Sequence, residues 1–216
     1  MTDWLLDRLA AVRGRLERRR VQRRWERLRA LGMHIGRGVN LPATTTIDTP
    51  HCHLISIGDW CGFGPDVMLL AHDGQMDEFL DAGRIGRVVI HEHSHIGARS
   101  IVLAGVEIGP RTIVGAGSVV SRSLPPDSVC AGNPARVLGT LEEYLDRHRR
   151  HLAERPRFPC DAFDSRALTP ARRAELVAAV ADGDAFITGG FTALLHGKAG
   201  MQTTALPGAD IRGAVR

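Results

Sequence analysis

Along residues 90 to 120 an aliphatic side chain returns at every sixth position: Ile90, Ile96, Val102, Ile108, Val114 and Val120. Ile35, Leu41 and Ile47, and then Ile57, Phe63 and Leu69, carry the same phase earlier in the chain. A second, mostly small position recurs beside it: Ser94, Ser100, Val106, Thr112, Ser118 and Leu124, with Val39, Thr45, Cys61 and Val67 in the earlier units. The twelve units are interrupted twice, between 47 and 57 and between 69 and 90. A spacing of six does not fit the 3.6-residue helical period, and glycine recurs too often for helix. One such unit cannot bury its own aliphatic side chain, so it must stack on copies of itself. Glycine after the aliphatic residue, as in Ile96-Gly97 and Ile108-Gly109, allows tight turns where a Cβ would crowd.

Composition agrees with a narrow, regular interior. The 216 residues are 44% hydrophobic, which excludes a wholly disordered chain, yet only 5% aromatic, so the core is built from Val, Ile, Leu and Ala. The chain is also too long to be a disulfide-stapled mini-protein. Cysteines at 52, 61, 130 and 160 form no CxxC pair, which suits free thiols in a reducing compartment. No stretch approaches the roughly 18 to 20 apolar residues of a membrane span, and the start lacks an apolar signal core. A cytoplasmic protein is expected.

The flanks read differently. Residues 1–30 hold ten Arg against Asp3, Asp7, Glu17 and Glu26, a surplus of +6 in a chain whose net charge is +4, so the remainder sums to −2. With no Pro and one Gly, this segment predicts one amphipathic helix or a pair, its stripe running Leu5, Leu9, Val12, Leu16 and then, after a slip of one, Val21, Trp25, Leu28. Its Arg-rich face with Trp4 and Trp25 suits peripheral contact with an anionic membrane or nucleic acid. The plainer reading, which we prefer, packs the stripe on the protein's own oligomer. Beyond the repeats, Thr140 with Glu143 opens a helix to about residue 151, Pro156 and Pro159 break it, and Thr169-Pro170 opens another that ends near Gly183. The expected organisation is thus a basic helical segment at 1–30, a repeat domain at 31–139, a helical extension at 140–183, and a partly disordered tail at 184–216 without a clear period.

Three stretches carry a family likeness: ISIGDWCGFGPDVMLLAHDG from Ile55, IGARSIVLAGVEIGPRTIVGAGSVVSRSLPP from Ile96, and AGNPARV from Ala131. Residues 31–139 resemble the hexapeptide-repeat acyltransferases, nearest to the maltose and galactoside type of sugar O-acetyltransferase. The resemblance implies an all-β core, a left-handed parallel β-helix with three units per turn. It also implies acetyl-CoA as acyl donor, a carbohydrate hydroxyl as acceptor, and a homotrimer whose long loop reaches a neighbour.

The second interruption holds that loop, DGQMDEFLDAGRIGR at 73–87, with His72 at its mouth. The resemblance implies that His72 is the general base. The chemistry runs parallel: a neutral imidazole accepts a hydroxyl proton near pH 7, and the oxygen then attacks the thioester directly. Asp73 either orients the ring or caps the loop turn. Residues implied to contact CoA are Ala98, Ala116, Ser121, Arg122 and Arg136, with the two arginines suited to phosphates. Gly139 stands where the galactoside enzymes carry another basic residue.

His91, His93 and His95 alternate in IHEHSH, which would turn three rings to one side of a strand, but such rings seldom converge on one tetrahedral ion. No metal is expected. His51 and His53 flank Cys52 in the first interruption, and read as a solvated loop or the lining of an acceptor pocket. The rivals to O-acetylation are N-acetylation of an amino or nucleotide sugar and, from another class, a catalytically silent β-helix scaffold.

Overall fold

The computed structural model describes residues 2–163 and 168–190, and these form two compact units, one ending at Leu141 and the other beginning at Glu142. The repeats wind into a left-handed parallel β-helix whose short strands stack into three faces. The first face stacks His34–Ile35, Ile55–Ile57, Val88–Ile90 and Glu107–Ile108. The second stacks Gly62–Phe63, His95–Ile96, Ile113–Val114 and Ser128–Ala131, and ends in an antiparallel strand, Arg136–Thr140. Thr46–Ile47, Met68–Leu69, Ile101–Val102 and Val119–Val120 make the third.

Register explains the sequence period. Ile101 pairs with Val119, His95 with Ile113 and Val89 with Glu107, so each residue meets the one three repeat units further on, and three units make one coil. Every aliphatic residue of one face then lies directly above its counterpart, and Ile57, Leu69, Ile90, Ile96, Val102, Ile108, Val114 and Val120 are essentially inaccessible. The small positions are buried too, and their hydroxyls stitch coil to coil. Ser94 Oγ donates to Gly109 O at 2.8 Å and Ser100 Oγ to Gly115 O at 3.1 Å, while Thr112 Oγ1 reaches Pro125 O at 2.7 Å. Small polar residues fit where a larger side chain would force the coils apart, and these three hydroxyls each find a carbonyl, whereas the buried Thr45 Oγ1 has no hydrogen-bond partner among the described residues.

Both interruptions are insertions at corners. Met68 pairs with Ile101 on the next coil, more than the usual three repeat units along the chain, and the excess is the segment 73–87. Thr46 pairs with Met68, so the first interruption adds only four positions to its coil. The larger one leaves and returns through an antiparallel pair, His72–Asp73 with Arg84–Ile85, and contains a short helix, Asp77–Leu80.

The N-terminal segment is a single helix, α1 (Thr2–Ala30). Trp25 and Leu28 are buried in the cluster with Met33, Val39, Leu41 and Cys52, closing the first coil against water. Arg24 fixes this end by donating to Ala43 O and Thr45 O at 2.6 and 2.7 Å. Val12 and Leu16 of the same stripe remain exposed. No helix among the described residues is long and apolar enough to cross a membrane.

In the second unit a helix covers Leu141–Glu154, and another, Pro170–Ala179, is capped by Thr169, whose hydroxyl accepts from Arg172 N. What the sequence does not signal is a parallel strand pair, Arg157–Pro159 with Phe186–Thr188. The start of the expected tail is therefore a strand partner. Residues 191–216 lie outside the described residues.

Glycine acts here in two distinct ways. A Cβ on Gly97 would sit 2.4 Å from Ala116 N in the next coil, whereas one on Gly117 meets nothing within 4 Å but sits at a φ of +70°. Gly97→Val should therefore cost about 3 kcal/mol by forcing backbone against backbone. Gly117→Ala should cost only about 1 kcal/mol of left-handed strain, and urea denaturation of the two variants reads the difference.

Candidate active site

The third face brings the two interruptions together. Because Ile47 pairs with Leu69, the residues that follow each strand emerge at the same corner, one coil apart. Asp48 follows Ile47, and its backbone N–H donates to Leu69 O at 3.0 Å. Its carboxylate is 1% exposed and faces the coil above. There Oδ2 accepts from Ala71 N at 3.1 Å and from His72 Nδ1 at 2.5 Å.

This contact sets the tautomer of His72. An ionised carboxylate can only accept, so Nδ1 carries a proton, and in the neutral form of the ring Nε2 keeps its lone pair. The His72 side chain is 46% exposed, so a ring anchored to a buried anion still meets solvent. Burial alone would push the Asp48 carboxyl up. Hydrogen bonds from His72 and His51, the charge of His72 and the Ala71 N–H outweigh it, and the net shift is downward.

His51 joins the same carboxylate from the first insertion. Its Nδ1 lies 3.4 Å from Asp48 Oδ1, and its ring stands 4.6 Å from that of His72, tilted by 37°. The solvated-loop reading therefore fails for His51 and holds for His53, which is exposed. Asp73 does not reach the ring through any described contact; its Oδ1 accepts from Gln75 N at 2.9 Å and caps the turn that starts the long loop. The ring's partner is Asp48, far from His72 in the chain, and its signal was only a lone carboxylate following the aliphatic position of a repeat.

The remaining candidates divide between two corners and the antiparallel strand that follows the coils. Ala98 and Ala116 lie one above the other where the chain enters the third face, with Gly117 N donating to Ala98 O at 2.8 Å. Ser121 and Arg122 follow Val119–Val120 at the opposite corner, the one that carries His72. Two strand spacings, roughly 10 Å, separate their level from that of Leu69. Arg122 is exposed and forms no ion pair among the described residues. Arg136 opens the antiparallel strand opposite Ala131 and is exposed, its Nη1 donating to Ala135 O.

The IHEHSH run does not present three rings on one side of a strand. His91 follows one face, His93 sits at the corner with a φ of 57°, and His95 lies on the next face. The turn interrupts the alternation. His91 Nε2 pairs with Glu107 Oε1 at 2.6 Å, and His95 packs over Gly62. Among the described residues, the one group with metal-ligand spacing is Asp48, His51 and His72.

The Asp48–His72 contact predicts a far-downfield imidazole N–H proton in the nuclear magnetic resonance spectrum. Asp48→Ala should abolish it and, by stranding the Ala71 N–H, cost about 1–3 kcal/mol on denaturation.

A family model, bacterial transferase hexapeptide (six repeats), matches residues 87–122. YvoF of Bacillus subtilis (strain 168), provisionally named an acetyltransferase, is 32% identical over 120 residues, which are 56% of this chain and 67% of that protein. Galactoside O-acetyltransferase of Escherichia coli (strain K12) is 30% identical over 126 residues, and the match spans 54% of this chain and 57% of that enzyme. A dTDP-3-amino-3,6-dideoxy-alpha-D-galactopyranose 3-N-acetyltransferase of Aneurinibacillus thermoaerophilus is 46% identical over 54 residues, 25% of this chain and 28% of its own. With the repeat, the stacked coils and these relatives in agreement, the chain belongs to the hexapeptide-repeat acyltransferase family.

Proposed function

We propose that this protein transfers an acetyl group from acetyl-CoA to a hydroxyl of a carbohydrate or sugar-containing acceptor, with His72 as general base. The observation that carries the reading is the half-exposed His72 ring, held through Nδ1 by the buried Asp48 carboxylate. Nε2 takes the proton of the acceptor hydroxyl as its oxygen attacks the thioester carbonyl. The imidazolium returns that proton to the departing sulfur, so ester and thiol are the products and no acyl-enzyme forms. Asp48 keeps the ring in the useful tautomer and stabilises its transient positive charge.

Acetyl-CoA needs a surface that admits its pantetheine arm and cations for its phosphates. The small side chains of Ala98 and Ala116 leave backbone approachable, and Ser121 offers a hydroxyl. Exposed Arg122 and Arg136 supply charge, and among the described residues no protein anion competes for Arg122. The long loop exposes Phe79, Leu80 and Ile85 beside the site, which supports a homotrimer in which a neighbour covers them. Four free cysteines support the cytoplasm as its compartment. The 3-N-acetyltransferase relative favours a second reading, transfer to the amine of an amino or nucleotide sugar.

A panel of sugars, amino sugars and nucleotide sugars, with acetylated product measured chromatographically, separates the two acceptor chemistries. His72→Ala should lower turnover on the order of 10² to 10⁴-fold. An unchanged rate in the folded variant overturns the base assignment. Arg122→Ala with Arg136→Ala should raise KM for acetyl-CoA about tenfold or more while kcat moves little, because ground-state phosphate contacts are lost.

A further inference from the structure

Three side chains at the corner shared by the two insertions converge on one point, and their chemistry exceeds what a base and its orienting carboxylate require. Asp48, His51 and His72 each offer a ligand atom, and those atoms all lie within 4.8 Å of one another. Two imidazoles and one carboxylate form the donor set that divalent transition metals take, with positions left open for solvent. Both Nδ1 atoms already lie against Asp48, one at each carboxylate oxygen. The inner side is closed, since Asp48 is 1% exposed, while the two imidazoles are 30% and 46% exposed and leave a way in.

The three ligand atoms start near the spacing of a metal centre, all within 4.8 Å of one another. Metal–ligand bonds of about 2.0–2.1 Å in a tetrahedron separate ligand atoms by about 3.4 Å. His51 Nδ1 lies 3.4 Å from Oδ1 and His72 Nδ1 2.5 Å from Oδ2, so with one carboxylate oxygen as ligand both rings have to shift toward that spacing, His72 outward by about 0.9 Å where Oδ2 ligates. His72 has room for that movement on its exposed side. The buried Asp48 carboxylate at the centre of the group also favours a dication.

We propose that Asp48, His51 and His72 form a binding site for a zinc-class divalent cation, and that occupancy switches the enzyme off. The metal takes Nδ1 of each ring, and the proton formerly on Nδ1 moves through solvent to Nε2. No proton is gained or lost by either neutral imidazole. Nε2 of His72 becomes a donor and can no longer accept a proton from the acceptor. Binding rests on the cluster's geometry alone, whereas the inhibition rests on His72 acting as the base.

The test uses the full chain, stripped of metal by chelation and compared with His51→Ala, His51→Gln and His53→Ala, each checked for folding by circular dichroism. Zinc titration by calorimetry and the visible ligand-field bands of Co²⁺ report binding without reference to activity. One equivalent should weaken at least about 100-fold in both His51 variants and persist in His53→Ala, the neighbouring ring outside the cluster. Equal affinity and stoichiometry in all four proteins overturns the site. Acetylated acceptor is then measured with and without Zn²⁺, each protein against its own metal-free rate. Inhibition of wild type that requires at least tenfold more Zn²⁺ in His51→Ala supports the switch. Retained binding without any inhibition of wild type overturns the switch and the base reading of His72 together, while the metal site stands.

Discussion

Everything in the repeat unit depends on one constraint, the parallel stacking of coils in a register of three repeats per turn. It places like side chains above like, so the aliphatic residues bury themselves against their counterparts, and Ser94, Ser100 and Thr112 each find a carbonyl one coil away. A solenoid of this kind tolerates no change of length along a face, because a single added position would turn the inward side chains outward. Insertions are confined to corners. Both of them lie between strands, and the strands resume in register beyond each.

Those corners are where chemistry collects. The shorter insertion delivers His51 and the longer one begins just after His72, with Asp48 between them on the lower coil. A rigid stack thus fixes a buried carboxylate and two rings, although two of the three belong to irregular segments. The carboxylate stays ionised because three donors compensate its burial, and low exposure makes each of those hydrogen bonds matter more than it would in water.

Charge follows the same division between stack and flank. The surplus of +6 belongs to α1, whose final turns close the first coil through Trp25 and Leu28. Its arginines are in part structural, since Arg24 reaches two carbonyls of the first coil. The exposed arginines proposed to meet phosphates, Arg122 and Arg136, belong instead to the last coil and its hairpin.

The solenoid, eleven of its twelve aliphatic repeat positions as core, and the position of the long loop were legible from residue order, because a six-residue period is a local property that repeats along the chain. The position of His72 at the edge where that period breaks was legible too, while its role as base is what the family resemblance implies. Asp48 was not, and neither was the role of His51. A carboxylate so far before a histidine has no periodic signature; the two meet because the pairing of Ile47 with Leu69 lays one corner above another. The IHEHSH run shows the converse, since its alternation suggested a shared strand face until a left-handed turn at His93 sent His91 and His95 to different faces. Local repetition told what stacks on what kind of neighbour, but the length of each insertion, acting through the stack, chose which polar groups share a corner.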